Sequence, residues 1–146
     1  MLAYCDGACR VSNPGEASAA FAVYDNVGLL HSSSRYLGPL LRTNNWAEFT
    51  ALLDCLRWAE EFGARRMAIH CDSQLVVKTV TGEWDVKHEE LKPLHTLATA
   101  LMIRGEHTLL WIRGHEQAEE EADRVGNTLA DKLCNLELDK ILGEKR

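Results

Sequence analysis

The spacing of apolar residues changes period at Asn44, and that change limits the folds open to this chain. Before it, residues 2–8, 17–24 and 29–36 are short runs, apolar or alternating, that read as strands. Asn13-Pro14-Gly15 and Asp25-Asn26-Val27-Gly28 separate them and form turns by composition. Successive strands joined by short turns pair antiparallel, so this region reads as a meander. From residue 44 to 62 the repeat is helical: Ala47, Ala51, Cys55, Trp58, Ala59 and Phe62 recur at three- and four-residue steps. Thr43 is placed to cap that helix and Gly63 to stop it.

The same reasoning covers the remainder. Residues 66–71 read as a fourth strand closed by Asp72, and residues 73–80 as a helix broken at Gly82. Residues 89–102 form a further helix and residues 107–112 a fifth strand. A last helix spans residues 127–142, with Ala130, Leu133, Cys134, Ile141 and Leu142 mostly on one face. The order β-β-β-α-β-α-α-β-α predicts an α/β fold: a mixed five-stranded sheet, antiparallel meander plus βαβ units, flanked by helices. With 146 residues and no repeat or linker-like shift, residues 1–146 read as one domain.

Composition removes several classes of protein. No apolar run nears the roughly 18 residues that span a bilayer. Residues 1–6 lack the basic start and apolar stretch of a signal peptide, so a cytoplasmic location is expected. The five cysteines (Cys5, Cys9, Cys55, Cys71, Cys134) are odd in number, scattered and without a CxxC pair, and read as free thiols rather than a zinc site or disulfide framework. A formal net charge of −6 argues against coating nucleic acid by bulk attraction. It leaves room for an enzyme that meets phosphates through bound cations. Nothing calls for an obligate oligomer, and a monomer is expected.

Three acidic residues occupy unusual places. Asp6 closes the first strand and is followed by Gly7; Asp72 closes the fourth, directly after an apolar run; Glu48 lies near the start of the first long helix. If strands one and four are neighbours, the two aspartates stand side by side with the glutamate close by. Carboxylates so placed repel, and burial raises their pKa values. A divalent cation relieves both penalties, and an all-oxygen site suits Mg²⁺ or Mn²⁺. Two such ions about 4 Å apart can activate water and stabilise the leaving oxygen of a phosphodiester. Taken singly, each aspartate reads as a cap or turn residue, and the convergence of three depends on the inferred topology.

Particular segments carry more. Tyr4-Cys5-Asp6-Gly7-Ala8-Cys9 with Asn13-Pro14-Gly15, Thr43-Asn44-Asn45-Trp46-Ala47-Glu48 and Asp72-Ser73-Gln74-Leu75-Val76 resemble, in order, the signature blocks of the type 1 ribonuclease H family. Trp111-Ile112-Arg113-Gly114-His115 and Gly126-Asn127-Thr128-Leu129-Ala130-Asp131 resemble its last strand, its histidine and its final helix start. The resemblance covers nearly the whole chain. It implies that Asp6, Glu48, Asp72 and Asp131 hold two Mg²⁺ ions, with Mn²⁺ as a substitute, and that His115 assists proton transfer or product release. It implies an endonuclease that cuts the RNA strand of RNA–DNA hybrids, leaving 5′-phosphate and 3′-hydroxyl ends. Cys9 (through its backbone), Asn13, Asn45 and Gln74 would then face the RNA, and Thr43, Asn44 and Trp84 the DNA. Asn44 and Asn45 read equally as helix caps.

The chain also departs from the family. Residues 116–130 make a longer link between histidine and final aspartate than in many relatives, and Asp123 lies in a second copy of the helix-start pattern, an alternative fourth ligand. Asp131 is favoured because Gly126-Asn127 precedes it and an apolar face follows. Residues 116–123 then form an acidic loop, either simply solvated or a flexible carrier for His115. No Lys/Arg-rich protrusion lies between Trp84 and Pro93, and no hybrid-binding domain is expected, so modest, metal-dependent substrate affinity is expected as well. Two other readings are a resolvase- or transposase-like nuclease of the same fold and a catalytically weak hybrid-binding module.

Overall fold

A computed structural model describes residues 1–113 and 121–144. β1 (Leu2–Arg10), β2 (Glu16–Tyr24) and β3 (Leu29–Tyr36) form the antiparallel meander, followed by α1 (Asn44–Phe62). Next come β4 (Ala68–Cys71), α2 (Gln74–Val80), α3 (Lys92–Gly105), β5 (Thr108–Trp111) and α4 (Glu121–Glu144). The sheet order is β3-β2-β1-β4-β5, with β4 parallel to both β1 and β5. The mixed five-stranded sheet and its helices are as the periodicity predicts.

Alternation along β1 divides the interior in two. Ala3 and Cys5 face a large core with Phe49, Leu52 and Leu56 of α1, Val76 of α2 and Ala98 of α3. Tyr4 faces the opposite way, into a smaller cluster with Ile112 and Ala130 of α4. Leu52 and Leu56 are at most 1% exposed, and sealing such a side chain stabilises by about 1.5–3 kcal/mol. α1 has the ends expected of it. Thr43 Oγ1 accepts from the Trp46 amide at 3.1 Å, and Gly63 closes the helix in the left-handed region at φ 82°.

Several boundaries shift, each for a local reason. β1 runs past Asp6 to Arg10 because β2 pairs with its whole length, whereas β4 pairs only as far as Cys5. Residues 66–67 do not join β4, since Arg66 takes a φ of 56°. α3 starts at Lys92, with Pro93 in its first turn, and residues 89–91 form a single 3-10 turn before it. The largest correction is at α4, which begins six residues before the expected start at 127. Gly126 does not break it; the glycine is the point where the helix closes on the Tyr4 ring, since a Cβ there would lie 2.2 Å from that ring. Glu121 and Asp123, which the sequence places in an acidic loop, instead occupy the helix's first turn, where negative charge is favourable. The rest of that segment, 116–120, lies outside the described residues.

Helix and strand backbones come unusually close at Gly7, where a Cβ would meet the Ala47 carbonyl carbon at 2.2 Å and the Glu48 amide nitrogen at 2.4 Å. Backbone cannot give way as a side chain can. Gly7→Ala is therefore expected to destabilise by about 3 kcal/mol. Urea denaturation checks this, and a midpoint within error of the native protein would contradict it.

Candidate active site

The last paired residues of β1 and β4 are Cys5 and Cys71, so Asp6 and Asp72 are the next residues on two adjacent parallel strands. They flank the point where β4 ends and β1 runs on paired with β2 alone. Glu48, the fifth residue of α1, joins them because Gly7 lets the helix start lie on β1. One carboxylate oxygen from each of Asp6, Glu48 and Asp72 lies within 4.8 Å of the other two. The three residues singled out by sequence converge.

Electrostatics show what the convergence costs. Asp6 is 4% exposed, and its carboxyl is held well above the usual range, first by burial and then by the charges of Glu48, Asp72 and Asp131. Glu48 is also raised, by burial and then by Asp72. Glu48 Oε2 is sealed from solvent with no hydrogen-bond partner, a costly state for a buried oxygen. A clustered, buried, incompletely satisfied set of carboxylate oxygens fits a hard divalent cation.

Supporting contacts hold these groups from behind. The Trp111 indole Nε1 donates to the Asp72 carbonyl at 3.1 Å. The Cys134 thiol donates to the Asp6 carbonyl at 3.0 Å, which pins α4 to β1 one turn beyond Asp131. Sequence reading missed both, for they join residues 39 and 128 positions apart. Asp131 is not one of the three whose oxygens converge, but its charge bears on Asp6. Asp123 is turned elsewhere, since its Oδ1 accepts from the Tyr4 hydroxyl at 2.7 Å. His115 lies outside the described residues.

The expected substrate-facing residues divide. Asn13 Oδ1 accepts from the Asn44 amide at 3.0 Å, and the Cys9 thiol approaches Asn13 Oδ1 at 3.8 Å, so Cys9, Asn13 and the α1 start form one group. Thr43 and Asn13 together satisfy amides of that helix start. Asn44 and Asn45 do not cap it: they are its first two residues, and the Asn44 side chain is exposed. Gln74 begins α2 two residues after Asp72 and is exposed. Trp84 lies past the far end of α2, 47% exposed, on a groove with Leu75, Thr79, Val86, His88 and Leu91. Lys92, in the stretch that lacks a basic protrusion, pairs with Glu89 at 2.6 Å. Cys5, Cys55, Cys71 and Cys134 are buried free thiols, as expected, and Cys9 is partly exposed.

This fold has counterparts among known proteins. Residues 1–138 match the sequence profile of RNase H, and the chain belongs to that family. It is 34% identical to the bifunctional protein Rv2228c of Mycobacterium tuberculosis over 137 residues, 92% of this chain and 34% of that protein. The N-terminal RNase H domain of Rv2228c superposes with a TM-score of 0.83 at 31% identity, covering 99% of this chain and 97% of that one. Ribonuclease HI of Halobacterium salinarum is 34% identical over 94% of this chain and 63% of its own length. The chain thus spans less than two thirds of these relatives. LC11-RNase H1, solved in complex with an RNA/DNA hybrid, superposes with a TM-score of 0.80 at 29% identity, covering 97% of this chain and 98% of that one.

The raised carboxyls bear on stability. In metal-free protein, Asp6 and Glu48 take up protons in the folded state at pH values where the unfolded chain has lost them. Stability therefore falls as pH rises from the ordinary carboxylate range through the raised folded values. Mg²⁺ should raise Tm more at pH 8 than at pH 5. Asp6→Asn should raise the metal-free Tm at neutral pH by about 3 °C, the effect of roughly 1 kcal/mol in a chain of this size. Calorimetry with and without chelator checks both, and a lowered Tm in Asp6→Asn would contradict the repulsion.

Proposed function

We propose that this protein is a metal-dependent endoribonuclease that hydrolyses the RNA strand of RNA–DNA hybrids, leaving 5′-phosphate and 3′-hydroxyl ends. The observation that carries the reading is the meeting of Asp6, Glu48 and Asp72 where β4 ends beside the middle of β1 in an RNase H fold. The hybrid bound by LC11-RNase H1 supports the choice of substrate. So does the Thr43 to Glu48 block, against a resolvase-like activity.

Asp6, Glu48, Asp72 and Asp131 would hold two Mg²⁺ ions, or Mn²⁺ in their place. When bound, such ions supply charge neutralisation and polarisation at a phosphodiester. The chain's own residues do the positioning. Gly7 permits the close approach that brings Glu48 to the aspartates, and Trp111 and Cys134 hold the Asp72 and Asp6 carbonyls. Asn13, Asn45, Gln74 and the backbone at Cys9 would read the RNA strand, whose 2′-hydroxyls both donate and accept, as amide side chains do. Thr43, Asn44 and Trp84 would contact the DNA strand, and the positive end of α1 favours a nearby phosphate. His115 would assist proton transfer or product release. The free thiols fit a cytoplasmic, reducing setting, and the protein would act as a monomer.

Cleavage of an end-labelled hybrid, beside duplex DNA and a four-way junction, tests the proposal. Mg²⁺-dependent cutting of the hybrid's RNA alone is expected, abolished by chelator. Asp6→Asn, Glu48→Gln and Asp72→Asn should each lower the rate about 10²–10³-fold or more. Cutting of the junction in preference to the hybrid, or hybrid binding without cleavage, would overturn it.

A further inference from the structure

We infer that Asp123 is a positioning residue: by accepting a hydrogen bond from Tyr4 it fixes α4 on the sheet and so sets where Asp131 stands beside Asp6. The inference rests on the reading of Asp131 as a metal ligand. Asp123 Oδ1 accepts from the Tyr4 hydroxyl at 2.7 Å and lies 3.6 Å from His70 Nε2. Its partner Tyr4 and its neighbour His70 are interior groups, 1% and 6% exposed. Their rings stack, with centroids 4.6 Å apart and planes 14° from parallel. His70 Nδ1 lies 3.0 Å from the Ala3 carbonyl, which orients the imidazole from β1.

The helix grips the same tyrosine twice. Three residues after Asp123, Gly126 lies against the Tyr4 ring so closely that a Cβ would come within 2.2 Å of it. One turn of α4 thus holds both the hydroxyl and the face of Tyr4. Tyr4 and His70 each precede a carboxylate, Asp6 and Asp72, by two residues on the same strands. Anchor and metal site therefore share β1 and β4 as a common base.

An α-helix transmits such a hold. Asp123 and Asp131 are eight residues apart, about 12 Å along the axis at 1.5 Å per residue. The Cys134 contact with the Asp6 carbonyl, 3.0 Å long, lies beyond Asp131. Asp131 is bracketed between two attachments to β1. The first turn of α4, whose acidic sequence reads as a loop, is what carries the Asp123 attachment.

Mn²⁺ binding to the full chain, followed by loss of the free-ion EPR signal, tests this alongside Tm. Tyr4→Phe keeps the ring and removes only the hydroxyl; Asp123→Ala removes the acceptor. Both should weaken Mn²⁺ binding by a similar factor, roughly three- to tenfold, below the range typical of groups bonded directly to a ligand. The double variant should be no worse than either single one. Asp123→Asn retains an oxygen that can accept from Tyr4 and should bind Mn²⁺ within about twofold of the native protein.

A lowered Tm with unchanged Mn²⁺ affinity in Tyr4→Phe and Asp123→Ala would reduce the clamp to a purely stabilising contact and overturn the inference. Loss in Asp123→Asn as severe as in Asp131→Asn would make Asp123 a ligand, which also overturns it. Unchanged binding in Asp131→Asn defeats the ligand reading itself and the clamp with it; only that variant reports on that reading.

Discussion

Asp6, Glu48 and Asp72 repel one another, and much of the structure exists to hold them together regardless. The two aspartates meet because β1 and β4 are parallel and in register, and the glutamate meets them because Gly7 has no side chain. Burial then raises the cost of their charge, as the high carboxyls of Asp6 and Glu48 record. A protein selected for stability alone would not assemble this cluster. Its persistence is the physical argument for a cation, one that stands apart from any likeness to other proteins.

The two faces of the sheet serve this cluster differently. On one, α1 packs its Phe49, Leu52 and Leu56 against β1, β2 and β4, so Glu48 is attached to the largest core in the molecule. On the other, α4 buries Ala130, Cys134 and Leu138 completely and adds close or polar contacts: Gly126 against Tyr4, and Ser18 donating to the Cys134 carbonyl at 2.8 Å. Polar contacts are directional, so they add to the register of this helix what apolar burial alone does not specify. Arg10 reinforces this, reaching Asn135 Oδ1 at 2.8 Å and also pairing with Asp139. Glu48 is thus held by the larger core, and Asp131 by a helix that combines buried Ala130, Cys134 and Leu138 with polar attachments to β1 and β2.

Elements with strong local signals were legible in the sequence. The period change at Asn44, the Thr43 cap and the Gly63 stop each depend on residues within a few positions of one another, and α1 has the bounds they predict. The three-strand meander was legible for the same reason. Boundaries governed by distant partners were not: β1 is prolonged by its pairing with β2, and α4 runs through Gly126 because Tyr4, more than a hundred residues away, takes the place of a side chain. A glycine within a polar, acidic stretch reads locally as a break. Packing against the tyrosine ring overrides that local signal.

The sequence by itself determined the class of fold, the three carboxylates that meet and the family blocks in which they lie, because each is written in short-range pattern and residue type. Only the tertiary structure decided how they meet. It set the register that aligns Asp6 with Asp72, the backbone approach at Gly7, the sealed oxygen of Glu48, and the commitment of Asp123 to Tyr4 rather than to the cluster. These are relations between segments far apart in the chain, and local pattern carries no record of the distances between them.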